Sequence, residues 1–372
     1  MQPVTPPTNR AARPTFPRVA HRAFTNAVQW LDRIDPGVHR RIKGLRLVTA
    51  YGIAAMLGAM PEISRAVPDA SSLSSIAAGF ALWASVSEGQ ATRIKSNRDL
   101  LVLNGAAVVG AAIMIGLVPI LTGAGRPGPE FALVSGAFLV GYLKRFGILG
   151  GGIGSQIYIG QLLAYGARLT SADLGMVVVA GMIGALACIV PRVLSGPAEL
   201  PALTPALGVS NRDPGGLSPE LRMGLQASLA ALVIVALNQE IHLVESAWAI
   251  TAATYVVAGS ASGTIDRVRR RIIGTMLGVP LALACLPLVV HAPLIIWAMA
   301  ALAMVVYAMA LPNRYDIACG AYAFTLLVTL ALTGEHSLPL LLARAWETVI
   351  GGILGLLAAT LLFPLKRARQ SN

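Results

Sequence analysis

The sequence predicts an all-α integral membrane protein, with about twelve transmembrane helices arranged as two parallel six-helix repeats. Three observations lead there. Of the 372 residues, 55% are hydrophobic and 12% charged, about half the roughly 25% charge of a soluble domain. The apolar residues form continuous runs of spanning length, without the alternation of an outer-membrane barrel. The basic residues gather on one side of those runs. Such a composition excludes a disordered chain, which is polar and charged. Three cysteines exclude a disulfide scaffold. An ordinary soluble enzyme could not hide so much apolar surface behind so few charges.

A span needs about 20 apolar residues to cross a hydrocarbon core of about 30 Å. Segments of this kind fall at about 45–61, 72–87, 100–121, 130–146, 148–167, 174–192, 221–239, 246–262, 272–291, 293–311, 315–333 and 343–364. Residues 1–44 form a basic cytosolic tail without the apolar stretch of a cleavable signal, so the first span is the expected targeting signal. Within the tail, Phe24 to Ile34 reads either as a short amphipathic surface helix or as a partly ordered arm. The first repeat is 45–194, a cytosolic Pro- and Gly-rich linker is 195–220, the second repeat is 221–366, and 367–372 form a C-terminal tail.

With the N-terminus inside, 25 of the 29 Lys and Arg face the cytosol, and Arg65, Arg126, Arg168 and Arg344 face out. The positive-inside rule produces this asymmetry. The net charge of +12 therefore records topology, and no nucleic-acid partner is expected. The lipid bilayer is the expected partner.

The halves also match in order. Leu45-Arg46 and Leu221-Arg222 open the first and seventh spans. At an offset of 169, Gly105 aligns with Gly274, Arg145 with Arg314, and Gly151 with Gly320. Ala180 to Ala187 aligns with Gly351 to Ala358, and Pro191 and Pro364 close the halves. An even number of spans per copy makes the repeats parallel, with a central cavity expected between them.

The second half carries the most specific pattern. An Arg opens one span and a Trp the next. A basic loop then leads into Arg271, Gly274, Thr275 and Gly278, an R-x-x-G-T-x-x-G run, and Arg344, Gly351 and Pro364 close the half. This pattern resembles the fusaric acid resistance (FUSC) and aromatic acid exporter superfamily, strongly over residues 221–366 and more weakly over 45–194. The resemblance implies an exporter of small organic anions, most plausibly aromatic carboxylic acids, driven by the proton gradient. It implies a multi-pass protein of the bacterial inner membrane with both termini cytosolic. An organic-anion channel and a membrane interaction or assembly protein are the alternatives. The sequence leaves a homo-oligomer open, and a periplasmic adaptor stays open because the linker and tail are short.

Several residues suit that chemistry, each beside a plainer reading. Arg46 and Arg222 open symmetric spans without a following acid; they either attract a carboxylate or snorkel to headgroups. Arg145 and Arg314 are symmetry mates at span junctions, either substrate-binding or interface anchors. Arg271 lies one turn before Gly274, either a ligand or a cytosolic anchor. Arg344 breaks the positive-inside rule and can pair with Glu347 at i, i+3. Trp248, Tyr255 and Tyr322 either stack on an aromatic substrate or anchor at interfaces. Asp316 and Glu347 are the candidate proton-coupling groups. Gly274 with Gly278 and Gly351 with Gly355 form GxxxG packing motifs, with Thr275 able to bond across the first.

Nothing in the sequence points to an enzyme, a cofactor or a metal. The five histidines lack metal-like spacing. Cys188, Cys285 and Cys319 read as small packing residues. Gly150, Gly151, Gly152 and Gly154 lie in an apolar span, where helix packing is the natural role.

Overall fold

The computed structural model describes residues 35, 38–65, 72–89, 92–123, 125–195, 217–311, 313–332, 334 and 337–361. The expected Phe24–Ile34 surface helix, most of the linker, Pro364 and the C-terminal tail lie outside these residues. The described chain is helical and carries no strand.

The helices are α1 His39–Ala59, α2 Leu73–Ser87, α3 Arg93–Leu121, α4 Leu133–Tyr142, α5 Gly147–Gly166 and α6 Leu174–Leu194. They continue as α7 Pro219–Ile241, α8 Ser246–Val256, α9 Ala261–His291, α10 Pro293–Ala310, α11 Tyr315–Leu332 and α12 Leu338–Leu361. One further turn of helix at Pro61–Ser64 follows α1. Among the described residues, nine helical segments are long and apolar enough to cross a membrane. They make the chain a multi-pass membrane protein.

The difference from twelve has a physical basis. A tight turn of helix over Leu143–Phe146 joins α4 to α5, so Pro129–Gly166 reads as one segment. The helices α2 and α8 have only 15 and 11 residues, about 22 and 16 Å at 1.5 Å per residue. The eighth expected span reached residue 262, yet α8 stops at Val256. There Ser260 leaves the helical path to cap α9, its hydroxyl accepting the Gly263 N–H at 3.1 Å. Side chains satisfy the irregular backbone between them: the Ala258 N–H donates to Thr264 Oγ1 at 3.0 Å, and Arg267 donates to the Val257 carbonyl at 3.3 Å. After α2, Lys43 Nζ donates to the Glu88 carbonyl at 2.8 Å. Backbone that breaks from a helix inside a bilayer must be paired in this way.

The basic run before the ninth expected span is not a loop. It is the first third of α9, which runs from Ala261 for 31 residues. That is about 46 Å, well beyond a hydrocarbon core of about 30 Å. The part through Arg270 projects past the apolar part, where Arg270 pairs with Asp266 at 2.9 Å. Arg93, Lys95 and Arg98 likewise belong to the first turns of α3.

Packing follows an order. In the first half α1 packs on α2 and α6, α2 on α6, α3 on α5 and α6, and α4 on α5. In the second half α7 packs on α8 and α12, α8 on α12, α9 on α11 and α12, and α10 on α11. The halves meet through α4 with α7 and through α10 with α1.

Small residues make the close approaches. A Cβ on Gly274 would lie 2.2 Å from the Asp316 carbonyl oxygen, and one on Gly278 would lie 2.3 Å from that of Gly320. The backbones of α9 and α11 therefore touch. Gly351 and Gly355 do the same for α12 against α8, where added carbons would meet the Ala249 carbonyl at 2.1 Å and Val256 Cγ2 at 2.6 Å. In α5, Gly150 and Gly154 pack on the carbonyls of Leu143 and Leu139. The buried glutamines bond between helices: Gln156 to Ser87 at 3.2 Å, Gln161 to Ser135 at 2.9 Å and Gln226 to the Ala359 carbonyl at 3.4 Å.

Candidate functional site

The second half encloses a cavity of about 30 Å³ between α8, α9, α11 and α12. Trp248, Arg271, Thr275, Tyr322, Arg344 and Thr348 supply its polar and aromatic wall, and Val279, Cys319 and Leu327 are among its apolar lining. The volume suits about two waters and is far below the roughly 300 Å³ of a small-molecule pocket. The side chains nearly fill the site.

The chemistry of the wall is unbalanced. Arg271 donates from Nη1 to the Tyr315 hydroxyl at 3.4 Å, while its Nε is buried without a partner. Arg344, 8% exposed, lays its guanidinium carbon 4.1 Å from the centre of the Trp248 ring. Its Nη2 lies 3.4 Å from Glu245 Oε2, and its Nε and Nη1 are buried without a partner. Among the described residues, three guanidinium nitrogens thus lack an acceptor. A buried donor left unmade costs about 1–3 kcal/mol, more when charged.

The expected pairing of Arg344 with Glu347 does not form. Glu347 is fully buried, and its Oε1 accepts the backbone N–H of Glu245 at 2.7 Å. The N–H at the head of α8 outcompetes an arginine that lies over Trp248 and reaches toward Glu245. The second oxygen of Glu347 has no partner among the described residues.

Around the cavity stands a row of rings that crosses between the halves. Tyr322 lies 6.2 Å from Trp248, 6.1 Å from Tyr307 and 5.4 Å from Trp83. Trp83 comes from α2 of the first half and also meets Tyr307 edge-on at 6.3 Å. Sequence reasoning missed Trp83, Tyr307 and Glu245. A single aromatic in an apolar span gives no signal, and only the fold brings Trp83 to Tyr322.

The other expected site residues are dispersed. Arg46 is buried at the inner end of α1, where its Nε donates to Ser195 Oγ at 2.5 Å. It lines a second small cavity with Lys43, Glu88 and Arg192, and Arg192 lies 3.7 Å from Glu88. Arg222 is half-buried in the first turns of α7. Arg145 is exposed, packed over the Tyr142 and Phe146 rings and bonded to the Tyr142 hydroxyl. Arg314 is exposed and bidentate on Asp316, at 3.1 and 2.8 Å. Tyr255 stands outside the cavity, 5.9 Å from Tyr158, its hydroxyl bonded to Ser155 at 2.7 Å. Thr275 turns to the cavity; among the described residues its hydroxyl has no bond across the glycine contact.

The sequence reading put Arg271 on the inner side and Arg344 on the outer side. The fold makes them walls of one cavity. Among the described residues no group of three His, Cys, Asp or Glu side chains could hold a metal ion.

Residues 229–358 match the family model described as fusaric acid resistance protein-like. The matched stretch contains all of α8–α11 and nearly all of α12, and with them the whole wall of the cavity. No curated protein and no solved structure compared with the chain matches it.

Proposed function

We propose that the protein is a membrane transporter that exports small organic anions, aromatic carboxylates above all, from the cytosol under the proton gradient of a bacterial inner membrane. One observation carries this reading. Arg271 and Arg344 leave three buried nitrogens unpaired in a cavity walled by Trp248 and Tyr322. A carboxylate would supply the missing acceptors, and the planar guanidinium fork suits it bidentately. The ring of an aromatic acid would find offset or edge contacts on Trp248 and Tyr322.

The packing supports a carrier built from two related six-helix units. Six helix pairings of the first half recur six helices later, that of α2 with α5 does not, and the cross-contact of α4 with α7 recurs as α10 with α1. Two such units can rock against each other to expose a site alternately to either side. The cavity is too small for such a substrate, so helices must part before one enters. The distribution of basic residues supports a cytosolic position for both termini.

The test is transport by the full chain in proteoliposomes, with labelled 4-hydroxybenzoate as the probe. Accumulation against a concentration difference is expected when a pH gradient is imposed. Flux that ignores the gradient would reject proton drive, and absence of protein-dependent flux would reject transport of this class of anion.

A further inference from the structure

Glu245 stands at the head of α8 and does not cap it. An acid in that position ordinarily turns its carboxylate onto the free N–H groups of its own first turn. Here the side chain makes no such bond. It reaches across to Arg344 on α12, Oε2 lying 3.4 Å from Nη2. Its own backbone N–H is held by Glu347 Oε1 at 2.7 Å. The two acids have divided the work. Glu347, fully buried, fastens the turn to α12, and Glu245 directs its charge at the arginine. Glu245 is also the water-facing member of the ion pair, its side chain 25% exposed against 10% for Arg344.

We propose that Glu245 is a tethered competitor for the substrate's carboxylate: it occupies Arg344 when the site is empty and must leave when an organic anion enters. Glu347 is the positioning residue that keeps it within reach. The inference rests on the reading of the cavity as an organic-anion site. Both bidentate edges of a guanidinium include Nη2, the nitrogen that Glu245 engages, so a carboxylate that binds Arg344 bidentately displaces Glu245. A tethered group acts at an effective concentration in the millimolar range when its span fits. The apparent affinity for substrate is then lowered by the fraction of molecules in which Arg344 is free. Residues 242–245 connect α7 to α8, so release of Glu245 from Arg344 removes one of the two ties between that connection and α12, while the bond to Glu347 stays. Substrate binding and loosening of this end are thereby coupled, through different contacts in the two states. When substrate departs, Glu245 returns and helps to expel it.

The test is equilibrium binding of 4-hydroxybenzoate to the purified full chain in detergent, followed by calorimetry and by tryptophan fluorescence. Glu245→Gln keeps the size of the side chain and removes its charge. It should tighten binding about tenfold, the factor expected if Arg344 is free in about one molecule in ten. Arg344→Gln should abolish binding, and the double variant should show no gain. Glu245→Asp, which draws the carboxylate back from Arg344, should tighten binding about threefold and decides the matter if the Gln variant does not fold. A purely structural Glu245 predicts the opposite sign, weaker or unchanged binding. Binding by the wild type that neither Glu245 variant tightens would overturn the competitor and leave the anion site standing. Failure of wild type and variants alike to bind the probe would overturn both.

Discussion

The guanidinium carbon of Arg344 lies over the Trp248 ring, 4.1 Å from its centre. This contact fixes how the arginine is presented. A cation over an indole face gains about 0.5–2 kcal/mol, the upper end where water is excluded. With one face occupied by the ring, the edge nitrogens are left to meet an acceptor, and Nε and Nη1 have none. A lysine would keep the charge and lose the planar fork. Arg344→Lys is therefore expected to weaken 4-hydroxybenzoate binding at least tenfold. Trp248→Phe, which keeps a face, should stay within about threefold, and Trp248→Ala should lose about tenfold. Calorimetric titration of the three variants checks the ordering. Lysine binding as well as arginine would remove the bidentate argument.

The glycines of α9 and α3 make a stability prediction with an internal control. A methyl on Gly278 would sit 2.3 Å from the Gly320 carbonyl oxygen, which no side-chain rearrangement can relieve. Gly278→Ala must push α9 away from α11, and overpacking of this kind costs about 1–3 kcal/mol. A methyl on Gly105 would meet nothing within 4 Å. Gly105→Ala should hold or slightly raise stability, since glycine inside a helix is worth about 0.5–1 kcal/mol less than alanine. Thermal unfolding in detergent should separate the pair. Equal melting temperatures would mean that the α9–α11 contact yields more easily than its geometry implies.

Much of the helix plan was legible because a bilayer demands long apolar runs, and those runs stand out in the sequence. Breaks within them were harder to read. The segment Ala261–Arg271 looks like a basic loop, but Ser260 caps it and it is continuous with the apolar part of α9. The glycine motifs were legible as packing devices, since only glycine lets Gly274 and Gly278 approach the α11 backbone so closely. The site was legible in residue type and illegible in partnership. Arg344 and Glu347 are spaced to pair on one helix face, yet both turn to Glu245. Tertiary contacts decide such choices because a local ion pair on a helix is worth only about 0.2–0.5 kcal/mol. Trp83 became part of the aromatic row only through contact between the two halves.

The dispersed arginines make a contrast that transport can read. Arg145 and Arg314 are exposed and already served by local partners, the rings of Tyr142 and Phe146 for one and Asp316 for the other. Solvent screens exposed pairs of this kind, and they contribute little. Arg145→Gln and Arg314→Gln should each leave 4-hydroxybenzoate flux within about twofold of wild type. Arg271→Gln removes a buried donor facing the cavity and should reduce flux at least tenfold. Rates in proteoliposomes, normalised to reconstituted protein, test this. A large loss at Arg145 or Arg314 would move the substrate path away from the second-half cavity.

Proton coupling should depend on Glu347 rather than Asp316, because the two carboxyls differ in what protonation would cost. Both oxygens of Asp316 accept from Arg314, at 3.1 and 2.8 Å, at the start of α11. A proton there would break a charge-assisted bidentate pair. Glu347 is fully buried, with one oxygen bonded to the Glu245 N–H and the other without a partner. A proton on that free oxygen leaves the existing bond intact and relieves a buried charge, which low-polarity surroundings disfavour. Glu347 is bonded to the backbone of Glu245, the acid that engages Arg344, so its proton can respond to who occupies Arg344. Ionisable groups placed this way inside a membrane protein commonly mark ion pathways. Glu347→Gln should cut pH-gradient-driven accumulation of 4-hydroxybenzoate about tenfold while counterflow exchange persists at a reduced rate. Asp316→Asn should keep accumulation within about twofold. The reverse pattern would transfer the coupling role to Asp316, and full accumulation in both variants would exclude both carboxyls.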